Sequence, residues 1–227
     1  MAGLFITSSG TGLGKTYLTA GLARYLHEAG RAVEAYKPVI SGFDVAEAAR
    51  SDSGILLEAL GRPATQTEID RISPWRFGAP LSPDMAAMQE GIPIDFDELL
   101  AFSKTVLAAS DNVLIEGAGG VMAPLNRNHT MLDWIAALDI PVALVVGNYL
   151  GAISHALTAA AVLRQKDCEL RMIVVSESEG AAVDLDETAG SISRFARNVG
   201  IVALPRNSDA AARDGAFAFI ADCCELG

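Results

Sequence analysis

The chain contains few of the residues that mark disulfide-stabilised or nucleic-acid-binding proteins. Its three cysteines, of which Cys223 and Cys224 are adjacent, form no framework of paired spacings, so a reducing compartment fits best. Lysine and arginine number 17 against 28 aspartate and glutamate residues, and the formal net charge is −11. Because phosphate backbones are held by basic side chains, this balance argues against a nucleic-acid partner, and any bound anion must be held locally.

Long apolar segments are absent as well. The longest, from Ile140 to Gly147, is far shorter than the roughly 20 residues that a membrane-spanning helix needs. The first residues lack the basic flank and the length of a signal peptide. These absences predict a soluble cytoplasmic protein that binds no membrane. The length of 227 residues, without a break in composition, predicts one α/β domain over residues 1–227.

Glycine is concentrated near the start of the chain. Residues 7–16 read Thr-Ser-Ser-Gly-Thr-Gly-Leu-Gly-Lys-Thr, directly after an apolar run and before a segment with helical periodicity. A nucleoside triphosphate needs backbone N–H groups, a cation and a hydroxyl for Mg²⁺, which the glycines, Lys15 and Thr16 would supply. The common pattern has a glycine where this chain has Ser9, and Gly10 and Gly12 lie inside the loop instead. The sequence therefore predicts a phosphate-binding loop of deviant type, the alternative being a plain glycine-rich turn.

Short apolar runs alternate with segments of helical spacing, and this alternation predicts the fold class. Leucines 18, 22 and 26 share one helical face before Gly30, and a second helix is predicted up to Leu107. The pattern predicts an α/β fold of the P-loop NTPase type, a parallel sheet with helices on both faces and ligands bound beyond the carboxyl ends of the strands. The proline-rich segment 44–93 is predicted to form loops and short helices that cap the site. The predicted strands are Leu4–Thr7, Ala32–Tyr36, Val113–Ile115, Val142–Val146, Met172–Ser176 and Ile201–Leu204.

Charged residues follow two of these strands. Lys37 precedes a proline, which keeps it at a strand end, where its charge could stabilise a transition state; the alternative is a solvated surface lysine. Glu116 ends the third strand before Gly-Ala-Gly-Gly and would hold Mg²⁺ together with Thr16. Asp52 is the candidate for a further metal ligand, although its position alone favours a helix cap.

Five motifs, taken in order, closely resemble the dethiobiotin synthetases: Gly-Leu-Gly-Lys-Thr, Tyr-Lys-Pro-Val-x-Ser-Gly, Ser-Pro with Gln-Glu-Gly, Glu-Gly-Ala-Gly-Gly and Pro-Val-x-Leu-Val-Val-Gly. The match spans nearly the whole chain. The resemblance implies ATP-dependent carboxylation and ring closure of 7,8-diaminopelargonic acid with CO₂, by way of a carbamate and a carbamoyl-phosphate mixed anhydride. It further implies a homodimer that uses Mg²⁺ with ATP as co-substrate.

The same resemblance implies a role for particular positions. Lys37, Lys15 and Thr11 would be catalytic, and Thr16, Asp52 and Glu116 would hold the metal. Ser41 and Lys37 would contact the substrate, whose carboxylate would meet backbone N–H groups of the partner subunit at Leu150, Gly151, Ala152 and Ile153. The nucleotide would be bound by Gly12, Leu13, Gly14, Lys15, Thr16, Tyr17, Asp52, Glu116, Gly117, Ala118, Gly119, Ser176, Glu177, Pro205, Arg206 and Asn207.

Three departures from the family leave alternatives open. Ser176 and Glu177 stand where the family commonly reads adenine with an Asn-Asp pair, so ATP selectivity is open. Gly10 and Gly12 replace acidic residues, and Tyr149 replaces a lysine.

A dimerising ATPase switch of the partition type is one rival function, but its signature lysine would stand at Gly10. An amide-forming ligase with a glutaminase domain is another, for which this chain has no room; a catalytically dead relative is the third.

Overall fold

The strands of this protein are short apolar runs, most of them buried on both faces. The computed structural model describes residues 2–181, 183–206 and 210–227. β5 and β6 are buried at every residue, as expected of parallel strands covered by helices on both sides. The strands within the described residues are β1 (Ala2–Ser8), β2 (Val33–Tyr36), β3 (Val39–Ser41), β4 (Trp75–Phe77), β5 (Asn112–Glu116), β6 (Val142–Val146), β7 (Leu170–Ser176) and β8 (Gly200–Leu204).

The helices begin and end at the signals that the sequence carries. The Asp95 side chain accepts a hydrogen bond from the Glu98 N–H at the start of α5, and Gly91 ends α4 in the left-handed conformation. A 3-10 helix spans Val45–Arg50. The α-helices of the described residues are α1 (Lys15–Glu28), α2 (Asp52–Ala59), α3 (Gln66–Ile72), α4 (Pro83–Glu90), α5 (Phe96–Leu107), α6 (Met131–Leu138), α7 (Ala152–Gln165), α8 (Leu185–Phe195) and α9 (Ala210–Cys223).

Six strands form one parallel sheet in the order β2-β5-β1-β6-β7-β8. β1 lies between β5 and β6, with Phe5 opposite Ile115 on one side and Val142 on the other. The strand order reverses around β1, which is where an open α/β sheet forms its binding crevice. The predicted parallel α/β fold and all six predicted strands are confirmed.

The segment 44–93 differs from its prediction. It contains the predicted short helices, but β4 also lies in it and pairs in parallel with β3, with Val39 opposite Trp75. The prediction of loops and helices alone is therefore wrong for this segment. The two strands have three residues each, too few for a periodic pattern, and they form through their pairing.

Large apolar side chains fill the core between the sheet and its helices. Trp134 of α6 is fully buried, with its ring edge-on to Phe5 of β1 at 4.9 Å between centroids. Its indole N–H donates to the hydroxyl of Ser103 on α5 at 3.1 Å, so the buried polar atom is paired. In the described part of the chain, no helix is long and apolar enough to cross a membrane.

Candidate active site

The glycine-rich loop, residues 9–14, connects the carboxyl end of β1 to α1. Gly14 precedes the helix with φ of 96°, a backbone conformation that favours glycine. A Cβ built on Gly14 would lie 2.6 Å from the hydroxyl oxygen of Ser176 at the end of β7, so a side chain would collide there as well. The loop therefore presents bare backbone at the N-terminus of a 14-residue helix, the arrangement that binds phosphate.

Lys15, the first residue of α1, points back into the loop. Its Nζ donates to Ser8 Oγ at 3.1 Å and lies 3.5 Å from the Gly10 carbonyl oxygen, and the residue is buried. Burial and, to a smaller extent, the neighbouring charge of Lys37 outweigh the nearby carboxylates and together lower the pKa of Lys15 to about 8. The loop thus places a buried lysine beside its backbone N–H groups. An anionic ligand bound there would favour the protonated, positively charged form of Lys15.

Lys37 follows β2 and lies between two carboxylates. Its Nζ is 2.5 Å from Glu116 Oε1 and 3.0 Å from Asp52 Oδ2, and it donates to the Gly117 carbonyl oxygen at 3.1 Å. Burial opposes the charged form, but the two carboxylates outweigh it and raise the pKa of Lys37. The same ammonium outweighs desolvation of Asp52 and lowers the pKa of that carboxyl. The alternative of a solvated surface lysine is wrong, because only 3% of Lys37 is exposed.

Glu116 ends β5 and is fully buried. Its Oε1 accepts hydrogen bonds from Thr16 Oγ1 at 2.8 Å and from Lys37, whereas its Oε2 has no hydrogen-bond partner among the described residues. A buried carboxylate oxygen without a partner is costly unless a cation meets it. This atom therefore fits a ligand of Mg²⁺, which takes one or two carboxylates and completes its shell with phosphates and water.

Asp52 lies beside Lys37 and Thr16 and is not the capping residue of α2. The N-cap of α2 is Ser51, whose hydroxyl accepts from the Gly54 N–H at 3.2 Å, so the helix-cap interpretation of Asp52 is wrong. Hydrogen bonding with Thr16 contributes to the lowered pKa of Asp52. Thr16, Asp52 and Glu116 thus meet at one point. Within the described ranges no three His, Cys, Asp or Glu side chains gather into a group that could hold a metal ion.

These groups line one cavity of about 330 Å³. It lies at the carboxyl ends of β1 and β5, where the sheet topology places a ligand site. The cavity brings together thirteen of the positions singled out in the sequence: Thr11, Gly12, Leu13, Gly14, Lys15, Thr16, Lys37, Ser41, Asp52, Glu116, Ala118, Gly119 and Arg206.

The other predicted nucleotide-binding residues lie beside the cavity or behind its wall. The Tyr17 ring packs towards Phe217 of α9, at 6.2 Å between centroids, and Ser176 is buried behind Gly14. The Gly117 carbonyl oxygen accepts from Lys37. Glu177 holds the loop after β8, because its carbonyl oxygen accepts from Arg206 Nε at 2.7 Å and its carboxylate from the Arg206 N–H at 2.9 Å. Pro205 precedes that arginine, and Asn207 lies outside the described residues.

The predicted carboxylate-binding segment, Leu150 to Ile153, does not line the cavity of its own chain. It lies where β6 leads into α7. Gly151 caps that helix with φ of 94°, and Leu150 is 93% exposed. The segment therefore presents a helix N-terminus and an exposed apolar side chain away from Lys15 and Lys37.

Two residues of the site have no signal in the sequence. Ser8 is fully buried, accepts from Lys15 and lies within hydrogen-bond distance of the Gly10 and Gly119 carbonyl oxygens. It precedes an identical Ser9, and only the tertiary structure separates their roles. Ile40 of β3 adds apolar surface to the cavity, but in the sequence it is one of many apolar strand residues.

Solved structures with this fold include proteins of cell division. The chain matches the MinC:MinD cell division protein complex from Aquifex aeolicus with a TM-score of 0.57 and 15% identity, over 99% of this chain and 95% of that one. It matches the septum site-determining protein MinD complexed with Mg-ADP from Pyrococcus horikoshii OT3 with a TM-score of 0.57 and 17% identity, over 96% and 85%. At such identities the likeness shows a shared fold and leaves the chemistry open.

Sequence relatives are far more similar. A family model described as an AAA domain matches residues 2–213. The ATP-dependent dethiobiotin synthetase BioD of Phenylobacterium zucineum is 48% identical over 93% of this chain and 92% of its own length. The enzyme of the same name from Methylobacterium nodulans is 46% identical over 86% of this chain and 90% of its own length. The one from Serratia marcescens is 34% identical over 78% of each chain. The chain therefore belongs to the family of ATP-dependent dethiobiotin synthetases.

Proposed function

We propose that this protein forms dethiobiotin from 7,8-diaminopelargonate, CO₂ and ATP, as a ligase of biotin biosynthesis. The observation that carries the proposal is the position of Lys37, a buried ammonium that shares one cavity with Lys15 and the glycine-rich loop. The names of the relatives described above support the same reaction.

The chemistry needs positioning and charge more than covalent help from the protein. An amine of the substrate takes up CO₂ to give a carbamate, and a carbamate oxygen attacks the γ-phosphorus of ATP as ADP leaves. The second amine then attacks the carbon of the mixed anhydride, phosphate leaves, and the cyclic urea is complete. Enzymes that move a phosphoryl group accelerate it mainly through fixed cations and geometry.

Each polar residue of the cavity has a place in this scheme. The N–H groups of the glycine-rich loop and Lys15 hold the phosphates, and Lys37 keeps its proton and stabilises charge on the oxygens around the transferred phosphorus. Thr11 and Ser41 offer hydroxyl groups to the carbamate. Thr16, Asp52 and Glu116 would hold Mg²⁺, which when bound neutralises phosphate charge.

The remainder of the substrate requires a second subunit in this proposal. The backbone N–H groups from Leu150 to Ile153 begin α7, a 14-residue helix, and such a terminus binds a carboxylate without a basic side chain. Because they do not line the cavity of their own chain, we infer that they serve the cavity of a partner in a homodimer. Leu150 and Met122 are large apolar residues with 93% and 52% of their surface exposed, which a dimer interface would cover.

Base selection is the least conventional part of the proposed nucleotide site. Ser176 is buried behind Gly14, and its hydroxyl is shorter than an asparagine side chain and offers a single donor. We propose that the base lies near Arg206 and Glu177, which hold one another at the edge of the cavity.

The decisive experiment is a mass-spectrometric assay for dethiobiotin with diaminopelargonate, bicarbonate, Mg²⁺ and ATP, CTP or GTP in turn. We expect product with ATP. Comparable product with CTP or GTP would leave the reaction intact and contradict base selection at Arg206 and Glu177. Nucleotide hydrolysis without dethiobiotin from any of the three would contradict the proposed function.

A further inference from the structure

Two buried hydroxyl groups lie beside the cavity and contact each other. Ser53 Oγ and Ser73 Oγ are 2.6 Å apart, and both residues are fully buried. Ser53 stands in the first turn of α2, and Ser73 is the C-cap residue of α3. The pair therefore joins the start of one helix to the end of the next.

Each of these two helix ends holds a different part of Lys37. The backbone N–H of Lys37 donates to the Ile72 carbonyl oxygen at the end of α3, at 3.1 Å, and Ile72 precedes Ser73. The ammonium of Lys37 pairs with Asp52 at the start of α2, at 3.0 Å, and Asp52 precedes Ser53. The end of α3 thus fixes the position of the Lys37 backbone, and the start of α2 fixes the position of its ammonium group.

The hydrogen bond between the serines closes a ring through Lys37. The ring passes from the Lys37 backbone to Ile72 and Ser73, crosses to Ser53, and returns through Asp52 to Lys37 Nζ. A buried hydroxyl is stable only when it is paired, so an alanine at one position would leave the other hydroxyl without its partner, whereas alanine at both positions would leave none unpaired. What the serines add is a fixed distance between the two helix ends.

We propose that Ser53 and Ser73 are positioning residues for Lys37. Their hydrogen bond sets the place of the Lys37 ammonium relative to the site of phosphoryl transfer, where a shift of about 1 Å can cost up to about 100-fold in rate. The proposal takes the catalytic role of Lys37 from the proposed function, whereas the ring itself stands on geometry alone.

The test compares Ser53→Ala, Ser73→Ala and the double variant with a matched control. Ser103→Ala removes another fully buried serine, which accepts from Trp134 and donates to the Leu99 carbonyl oxygen far from this ring. We expect each single variant of the ring to lower kcat by about tenfold with little change in KM for ATP. The control should lower the Tm by a similar amount and keep kcat.

The double variant separates positioning from stability. It leaves neither hydroxyl unpaired, so its Tm should recover relative to the single variants. Its kcat should stay as low as theirs, because the tie between the helices is still missing. Recovery of kcat together with Tm, or an equal loss of kcat in Ser103→Ala, would overturn the proposal.

A second readout does not depend on turnover. An amine-reactive N-hydroxysuccinimide ester labels exposed lysines, and mass spectrometry of the digested protein measures the rate at Lys37. We expect faster labelling of Lys37 in both single variants and the double variant than in the wild type and Ser103→Ala. An unchanged labelling rate at Lys37 would overturn the positioning role of the two serines. Wild-type protein that makes no dethiobiotin would instead overturn the proposed function, and the labelling result would remain valid.

Discussion

At the scale of single residues, Lys37 is held more firmly than any exposed lysine would be. Its ammonium lies between Asp52 and Glu116, and the net charge of these three side chains is negative. These three side chains alone would repel phosphate, which is why Lys15, in the same cavity, and a divalent metal belong to the same proposal. The ion pairs fix the Lys37 charge in advance, as preorganised electrostatic stabilisation requires.

Replacing Lys37 should separate catalysis from binding. We expect Lys37→Ala to lower kcat for dethiobiotin formation by about 100-fold or more, while the Kd for nucleotide changes little, since the phosphates are held mainly by the loop and Lys15. Kinetics and a nucleotide titration measure the two quantities. Lys104→Ala, which removes an exposed lysine on α5, is the control. Unchanged turnover would remove Lys37 from the catalytic set.

Glu116 should determine how much Mg²⁺ the protein needs. Glu116→Gln keeps the shape of the side chain and removes its charge, so we expect the Mg²⁺ concentration for half-maximal activity to rise by about tenfold or more. The same shift should appear when Mn²⁺ binding is measured directly. Glu58→Gln, at an exposed position of α2, should titrate like the wild type. A wild-type titration for Glu116→Gln would take this residue out of the metal set.

The sequence indicated the site residues that lie at the carboxyl ends of strands. Lys37 and Glu116 were predictable because each directly follows or ends an apolar run, and parallel strands bring such ends together. Ser8, Ser53 and Ser73 were not, because a serine at a strand end, a helix start or a helix end has many ordinary uses. Burial and partners distinguish them, and both arise only from the tertiary structure.

At the scale of secondary-structure elements, a network of ion pairs ties β2 to α3. The Glu34 carboxylate accepts from Arg62 at 2.5 Å and from Arg71 at 3.0 Å, and Arg71 also pairs with Glu68. Desolvation of Glu34 raises its pKa, but the two guanidinium groups outweigh it and hold the pKa below 4.5. The network anchors the helix whose end binds the Lys37 backbone.

The lowered pKa of Glu34 makes this anchor dependent on pH. Because the folded-state pKa lies below the unfolded value of 4.5, the stabilisation is complete above that pH and is lost as the pH falls through the folded value. We expect Glu34→Gln to lower the free energy of unfolding by about 1–3 kcal/mol at pH 7. The difference from the wild type should shrink below about pH 4.5.

Urea unfolding of both proteins at pH 7 and at pH 4 or below measures that difference. Glu28→Gln, at an exposed position of α1, is the matched control and should change neither value much. A difference that stays constant over this range would contradict the assigned network.

Elements with a strong periodic pattern were predictable, and the short pair β3–β4 was not. Every residue of β5 and β6 is buried, and the leucine stripe of α1 marks the buried face of that helix. β3 and β4 have three residues each and are separated by 33 residues that include two prolines, Pro63 and Pro74. Their pairing depends on the helices between them, which no local pattern encodes.

At the scale of the whole molecule, the proposed cross-subunit site predicts complementation. Lys37→Ala damages the cavity, whereas Leu150→Asp places a negative charge where the partner's substrate carboxylate would bind. Each homodimer alone should be nearly inactive. After mixing and subunit exchange, heterodimers contain one site with both parts intact, so activity should return.

The control for this experiment mixes each variant with itself under the same conditions. Sedimentation or light scattering should give twice the 23.7 kDa mass of one chain. Absence of recovery, in a mixture shown to contain heterodimers, would contradict the shared site. A monomeric protein that is fully active would contradict the dimer itself.

The sheet also bears on the proposal of a single domain over residues 1–227. β1 near the start of the chain and β8 near its end belong to the same six-stranded sheet. We therefore expect one cooperative transition in urea, with coincident curves from fluorescence and circular dichroism. Two separated transitions would contradict a single domain. The alternation of strands and helices predicted the parallel sheet, but nothing in the sequence specified the order of its strands.

The central place of β1 has a consequence for how the chain is made. Its partners lie far along the sequence, since Ala2 pairs with Asn112 and Ser8 with Val145. At about 5–20 residues per second of synthesis, the strand that carries the glycine-rich loop emerges from the ribosome many seconds before both neighbours exist. During that interval an apolar strand has two open edges, and it depends on nascent-chain binding factors or on transient collapse for protection. The strand synthesised first thus waits longer than any other strand of this sheet for its first partner, which is β5.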